Sequence, residues 1–196
     1  HAVDYFSDKF DDPMMFAQVE HCASVPTDTI LFNIDSKSSI NKDKTAILRV
    51  FAKVFYEHLG FYGEDLKVAK LEQFIEKSGK TEEFRQKFEE VNGAPWTDAR
   101  DTFAFFEDDI VECLVSVLGM SETAARNWFN GTEDADISIE QLVKEIKEYV
   151  DSRGRDYRLL FMIDEVGQYI GSDSNLMLNL QTIVEEIGVK CNGQVW

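Results

Sequence analysis

The stretch Leu159-Leu160-Phe161-Met162-Ile163-Asp164-Glu165, continued by Val166-Gly167-Gln168, decides how this chain is read. Five consecutive apolar residues are too few for a self-standing helix and are bounded by charged and Gly-containing segments. They are expected to form a strand buried on both faces of a parallel sheet. Two carboxylates, Asp164 and Glu165, then stand at its carboxyl tip. In open α/β sheets that tip borders the crevice which flanking helices leave uncovered, and ligands bind there. A second run, Thr29-Ile30-Leu31-Phe32-Asn33-Ile34-Asp35, is built the same way and is followed by the polar Ser36-Lys37-Ser38-Ser39. It is the expected parallel neighbour, and both runs end in an acid at one edge.

An apolar strand closing in Asp-Glu has the pattern of a Walker B segment, in which the Asp supports Mg²⁺ and the Glu orients or deprotonates the attacking water. The fold class expected from this pattern is α/β, a partial P-loop NTPase-type parallel sheet with a large helical insertion. A plainer reading of the same letters is that acids close buried strands because the chain has reached solvent. For Asp35 the plainer reading, a loop acid capping Ser38 or Ser39, is favoured over a metal role.

Composition narrows the classes. With 196 residues, 44% apolar and 12% aromatic, the chain is long and apolar enough for a sizeable core. No apolar run approaches bilayer-spanning length and no secretory segment opens the chain, so a soluble, cytoplasmic protein is expected. Cys22, Cys113 and Cys191 are odd in number, far apart and without a CxxC pair. Neither a disulfide framework nor a zinc cluster is suggested. His1, His21 and His58 are scattered and suggest no catalytic constellation. The net charge of −17 and pI near 4.5 oppose a grip on a nucleic-acid backbone, where affinity comes from Lys and Arg displacing counterions. A basic partner, or simple solubility, fits better. The one locally basic stretch, Lys37 through Lys53 with Lys42, Lys44 and Arg49, has the charge to approach phosphates, but its reading as the solvated face of an amphipathic helix is favoured.

Between the two strand candidates nearly everything reads as helix. Tyr5, Phe6, Phe10 and Phe16 lie at near-helical intervals, Pro13 suits a first helical turn, and Pro26 closes the region. Ile47, Val50, Phe51, Val54, Phe55 and Leu59 follow the i, i+3, i+4, i+7 rule, predicting a helix over 42–59 stopped by Gly60. Helices follow at 66–77 and 81–91. Gly79-Lys80-Thr81 imitates the end of GxxxxGK[ST], but position 74 is Phe and no strand precedes it. Gly79 as a helix stop and Thr81 as an N-cap account for it physically. Asn92-Gly93-Ala94-Pro95 is a breaker, followed by a helical pattern through Phe103 and Leu114 to Gly119. Ser121 is expected to cap a helix ended by Asn130-Gly131, and Ser138 to form a capping box with Gln141, with Ile137 stapled on Leu142. A last helix is predicted over 175–187, stopped by Gly188. Residues 1–41 and 153–196 are thus expected to form parts of a truncated nucleotide-binding core, and 42–152 a helical insertion, because one crossover helix suffices to join parallel strands. The start at His1 and the strand-like Gln194-Val195-Trp196 read as cut ends.

Three segments carry a family resemblance. Phe32-Asn33-Ile34-Asp35-Ser36-Lys37-Ser38, Phe161-Met162-Ile163-Asp164-Glu165-Val166-Gly167-Gln168 and Leu178-Asn179-Leu180-Gln181-Thr182-Ile183-Val184-Glu185 resemble the large BREX-system P-loop ATPases of the BrxC/PglY type, which act in bacterial defence against phage. The resemblance implies a P-loop upstream of His1 and a γ-phosphate-sensing residue just beyond Trp196. It implies Asp164 as the nucleotide-side acid holding Mg²⁺ through water, Glu165 as the catalytic base, and ATP and Mg²⁺ as cofactors of the complete protein. Gly167 would allow a sharp turn after the strand, and Gln168 offers a polar contact. Residues 1–196 alone are expected to be inactive, and the implied partners are other subunits of a defence complex or further copies, with no direct nucleic-acid or membrane binding. The competing class is a non-catalytic interaction or scaffold domain with a degenerate nucleotide fold and an acidic helical insertion.

Overall fold

The structure, a computed structural model, describes residues 2–9, 11–37, 45–131 and 136–196. Expectations for His1, Phe10, Ser38, Ser39, Lys42 and Lys44 fall outside these. Two helices, α1 (Ala2–Ser7) and α2 (Pro13–Ser24), lead into strand β1 (Thr27–Asn33) and the short α3 (Ile34–Lys37). Then come α4 (Ala46–His58), α5 (Leu66–Lys77), α6 (Thr81–Asn92), α7 (Trp96–Ala99), a 3-10 turn (Arg100–Phe105), α8 (Glu107–Leu118), α9 (Glu122–Asn130) and α10 (Ile139–Arg153). Strand β2 (Arg158–Asp164), α11 (Val166–Ile170) and α12 (Ser174–Lys190) complete the order.

The expected α/β, P-loop NTPase-type fold class is corrected by this architecture. Of the described residues 69% are helical, with a two-stranded parallel sheet, so this is a mostly helical protein. The physical reason is the distribution of extended segments: among the described residues eight α-helices separate β1 from β2, and these helices bury one another instead of alternating with strands. No helix among the described residues is long and apolar enough to cross a membrane.

The strands themselves pair as expected. β1 and β2 run parallel, in register from Thr27 opposite Arg158 to Asn33 opposite Asp164. On the far side of β2, Leu159 N–H donates to the Gln194 carbonyl (2.9 Å) and Trp196 N–H to the Leu159 carbonyl (3.0 Å), so residues 194–196 join it in parallel. Burial on both faces does not follow, however. Ile30, Phe32, Leu159, Phe161 and Ile163 turn toward α4, where the Phe51 ring meets Phe32 at 5.8 Å and Phe161 at 5.3 Å. Leu31 and Met162, adjacent on the opposite face, are 71% and 51% exposed. The amino edge is tied to the helices through Asp28, whose carboxylate accepts the Tyr157 hydroxyl at 2.7 Å and lies 3.7 Å from His58 Nε2.

Two hydrophobic cores result. One joins the covered sheet face to α4, α10 and α12 through residues such as Phe55, Ile146, Leu159 and Ile183. The other is helical, built on Val68, Ile75, Phe84, Phe88, Trp96, Ile110 and Leu114. In the second, the Trp96 ring stands edge-on to Phe88 at 5.0 Å and to Phe84 at 5.3 Å, a geometry that favours aromatic quadrupoles. Beneath them the Glu72 carboxylate accepts from Trp96 Nε1 (2.7 Å), Arg100 Nη1 (2.9 Å) and Tyr62 N–H (2.6 Å). A largely buried acid is tolerable on those terms, because its oxygens are hydrogen-bonded and each donor beside it finds an acceptor.

Local helix signals hold at most ends. Ser121 and Ser138 cap α9 and α10 through their hydroxyls, and Gly60, Gly79, Gly93 and Gly119 follow helices with positive φ. Three details differ. Thr81 is the first residue of α6 rather than its cap, Gln141 donates its side-chain amide to Glu145 instead of closing the box, and α12 runs through Gly188 to Lys190.

Candidate strand-tip site

Parallel pairing brings the ends of β1 and β2 to one edge, and with them three polar side chains distant in sequence. Directly paired residues of a parallel sheet point to the same face, so Asn33 and Asp164 stand side by side on the open face, one step beyond Leu31 and Met162. Sequence reasoning named Asp35 as the acid of this edge. The structure puts Asp35 in α3, past the strand end, and Asn33 in its place opposite Asp164. An amide closing an apolar run was the available signal, but only the register shows what it faces.

Asn33 is fixed at both ends of its amide. Its Oδ1 accepts the Asp35 N–H at 3.0 Å, and its Nδ2 donates to Glu165 Oε2 at 2.5 Å. The reversed orientation would set NH₂ against a backbone N–H and oxygen against a carboxylate, so the network determines the orientation. Asp164 Oδ1 accepts the N–H of Glu165 at 2.8 Å. Both carboxylates are exposed, and neither makes an ion pair with a Lys or Arg among the described residues.

The turn after β2 is made by Glu165 itself. Its φ of 60° and ψ of 20° place a non-glycine residue in the left-handed region, at a cost of about 1 kcal/mol or more. The expectation that Gly167 makes this turn is therefore corrected: Gly167 lies inside α11, and its φ is not positive. The left-handed step turns the Glu165 carbonyl to accept from Gln168 N–H (3.1 Å) and Tyr169 N–H (3.0 Å), which starts α11. It also directs the Glu165 side chain toward Asn33. Gln168 is exposed on α11. His58 belongs to the Asp28 cluster at the other edge of the sheet, and Cys113 and Cys191 are buried apart in different cores.

Chemically, the tip offers one carboxylate restrained by an amide and a second whose only described partner is a neighbouring backbone N–H. No group of three His, Cys, Asp or Glu side chains converges as a metal site among the described residues. That donor set fits Mg²⁺, which characteristically takes one or two carboxylates and completes its octahedron with water and substrate phosphates. No protein-family model matches the chain, and no solved structure matches it.

Proposed function

We propose that this chain contributes the acid pair of an ATP-hydrolysing protein, of the bacterial phage-defence kind that its sequence resembles. The observation that carries the reading is the Asn33–Glu165 hydrogen bond at the carboxyl edge of the parallel strands, beside the exposed Asp164. Asp164 would hold Mg²⁺ through water, and Mg²⁺ bound to the nucleotide neutralises developing phosphate charge. Glu165 orients the attacking water and takes its proton. For that role its carboxylate needs a fixed direction and a free oxygen, and Asn33 engages Oε2 only. The chain contains no GxxxxGK[ST], so the phosphate cradle is supplied from outside residues 1–196.

The test is Mg²⁺-dependent ATP hydrolysis by the natural protein that carries these residues, compared with its Glu165→Gln variant. Loss of turnover by about 10²-fold or more with nucleotide binding retained supports the assignment. Equal turnover in the variant, or no nucleotide binding by the parent, refutes it.

A further inference from the structure

We propose that the open face of the β1–β2 sheet is a docking surface for an amphipathic helix of a partner protein, one that presents apolar residues flanked by Lys or Arg. The proposal stands independently of the ATPase reading. Its first support is steric and hydrophobic. Parallel sheets are ordinarily covered on both faces, and the apolar residues of β1 and β2 occupy both faces, yet among the described residues only one face carries helices. Leu31 and Met162 form an adjacent row, 71% and 51% exposed, with Leu160 beside them on the same face. The strands span roughly 23 Å, which a helix of about 15 residues covers.

Charge selects the occupant. The carboxyl end of the row is Asp164 and Glu165, without a Lys or Arg partner among the described residues. The segment that leads into β1 holds Asp4, Asp8, Asp11, Asp12 and Glu20 against a single Lys9. The amino edge is the basic end of the same face: Arg158 precedes Leu160 on it, half-buried and donating to the carbonyls of Arg155 and Tyr157, and Arg153, 4.0 Å from Asp28, and Arg155 are exposed nearby, so the acidic attraction is concentrated at the carboxyl end. A second copy of a chain with net charge −17 would bring like charges together, whereas a basic helix is attracted to the acidic end. Asn33 and Asp164 are the next pair along the same row, so the occupant borders the acid tip.

The probe is a synthetic leucine/lysine amphipathic helix of about 15 residues, with a leucine/glutamate helix of the same pattern as control, titrated against the chain by fluorescence anisotropy. Both peptides are also titrated against the double variant Leu31→Glu, Met162→Glu. These side chains are exposed, so the variant keeps the fold, which circular dichroism and Tm verify. The discriminating feature is that the variant is more acidic than the parent. If the basic helix docks on the apolar row, its affinity falls at least tenfold in the variant and the acidic peptide binds neither protein. Unchanged or tighter binding to the variant means diffuse electrostatic attraction and overturns the proposal. So does a parent that sediments as a dimer while the variant sediments as a monomer, because the occupant is then a second copy.

Discussion

The sheet-bearing part and the helical core around Trp96 solve the same problem of burying apolar surface to different degrees. In the helical core, α5 to α9 enclose Phe84, Phe88, Trp96, Ile110 and Leu114, each at most 3% exposed, and the polar groups inside are satisfied by Glu72. The sheet-bearing part buries Phe55, Ile146 and Leu159 equally well but also leaves Leu31, Met162, Met177, Leu178, Val184, Val189 and Trp196 exposed. On α12 this gives apolar residues on two sides, Leu176, Ile183 and Ile187 inward and Met177 and Val184 outward. The difference teaches where to look for function. A helix or strand that is apolar on a solvent-facing side is organised for a further contact. Around the helical core the exposed apolar side chains among the described residues stand singly, Phe74 on α5, Phe105 on the 3-10 turn and Val115 on α8, and form no continuous face.

The comparison can be broken at its strongest point first. Phe88→Ala empties a site packed against Trp96 and Phe84 and is expected to cost about 3–5 kcal/mol, read as a lower urea midpoint. A cost near that of a surface substitution would mean the helical core is not closed. Glu72→Ala leaves the Trp96 indole N–H, the Arg100 guanidinium and the Tyr62 N–H without their acceptor, and should cost about 3 kcal/mol. Hydrogen exchange in the variant should rise in residues 62–131 before it rises around β2.

Alkaline pH tests both parts at once. Burial pushes the Cys113 thiol of the helical core up to about 12 from its ordinary value near 9. In the sheet-bearing core burial raises Tyr56 and Tyr157 above the usual phenol range, with Glu145 adding to the first and Tyr149 and Asp28 to the second. These groups stay protonated in the folded chain while the unfolded chain releases its protons, so unfolding is favoured progressively above the unfolded values. Stability is therefore full below about pH 9 and declines from there toward pH 12, first through the thiol and above about pH 10 through the phenols. Thermal scans should show that Cys113→Ala delays the onset. The smallest effect belongs to the open face: Leu31→Ala should change stability by no more than about 0.5 kcal/mol, against several for Phe88→Ala. A larger loss would show that the face is covered within the chain itself.

Much of the local structure was legible. The stripe of Ile47, Val50, Phe51, Val54 and Phe55, the caps Ser121 and Ser138, and the glycines at 60, 79, 93 and 119 mark helices through interactions within a few residues, and the structure has them. The two apolar runs became parallel neighbours as their pattern suggested. The α/β class failed because two strands were extended into a sheet that eight intervening helices do not build. Gly188 was misread because a glycine inside a packed helix looks, one letter at a time, like a glycine after one.

At the strand tip the sequence alone picked out Asp164 and Glu165, since an apolar run that ends in acids declares itself locally. It determined the helix ends for the same reason, by contacts one turn long. Only the tertiary structure decided that Asn33 rather than Asp35 stands opposite Asp164, that Glu165 takes the left-handed turn and reaches Asn33, and that one sheet face stays open. Those outcomes depend on the register of two strands whose bonded tips lie 132 residues apart and on which surfaces the intervening helices cover, and neither is written in any local window of the chain.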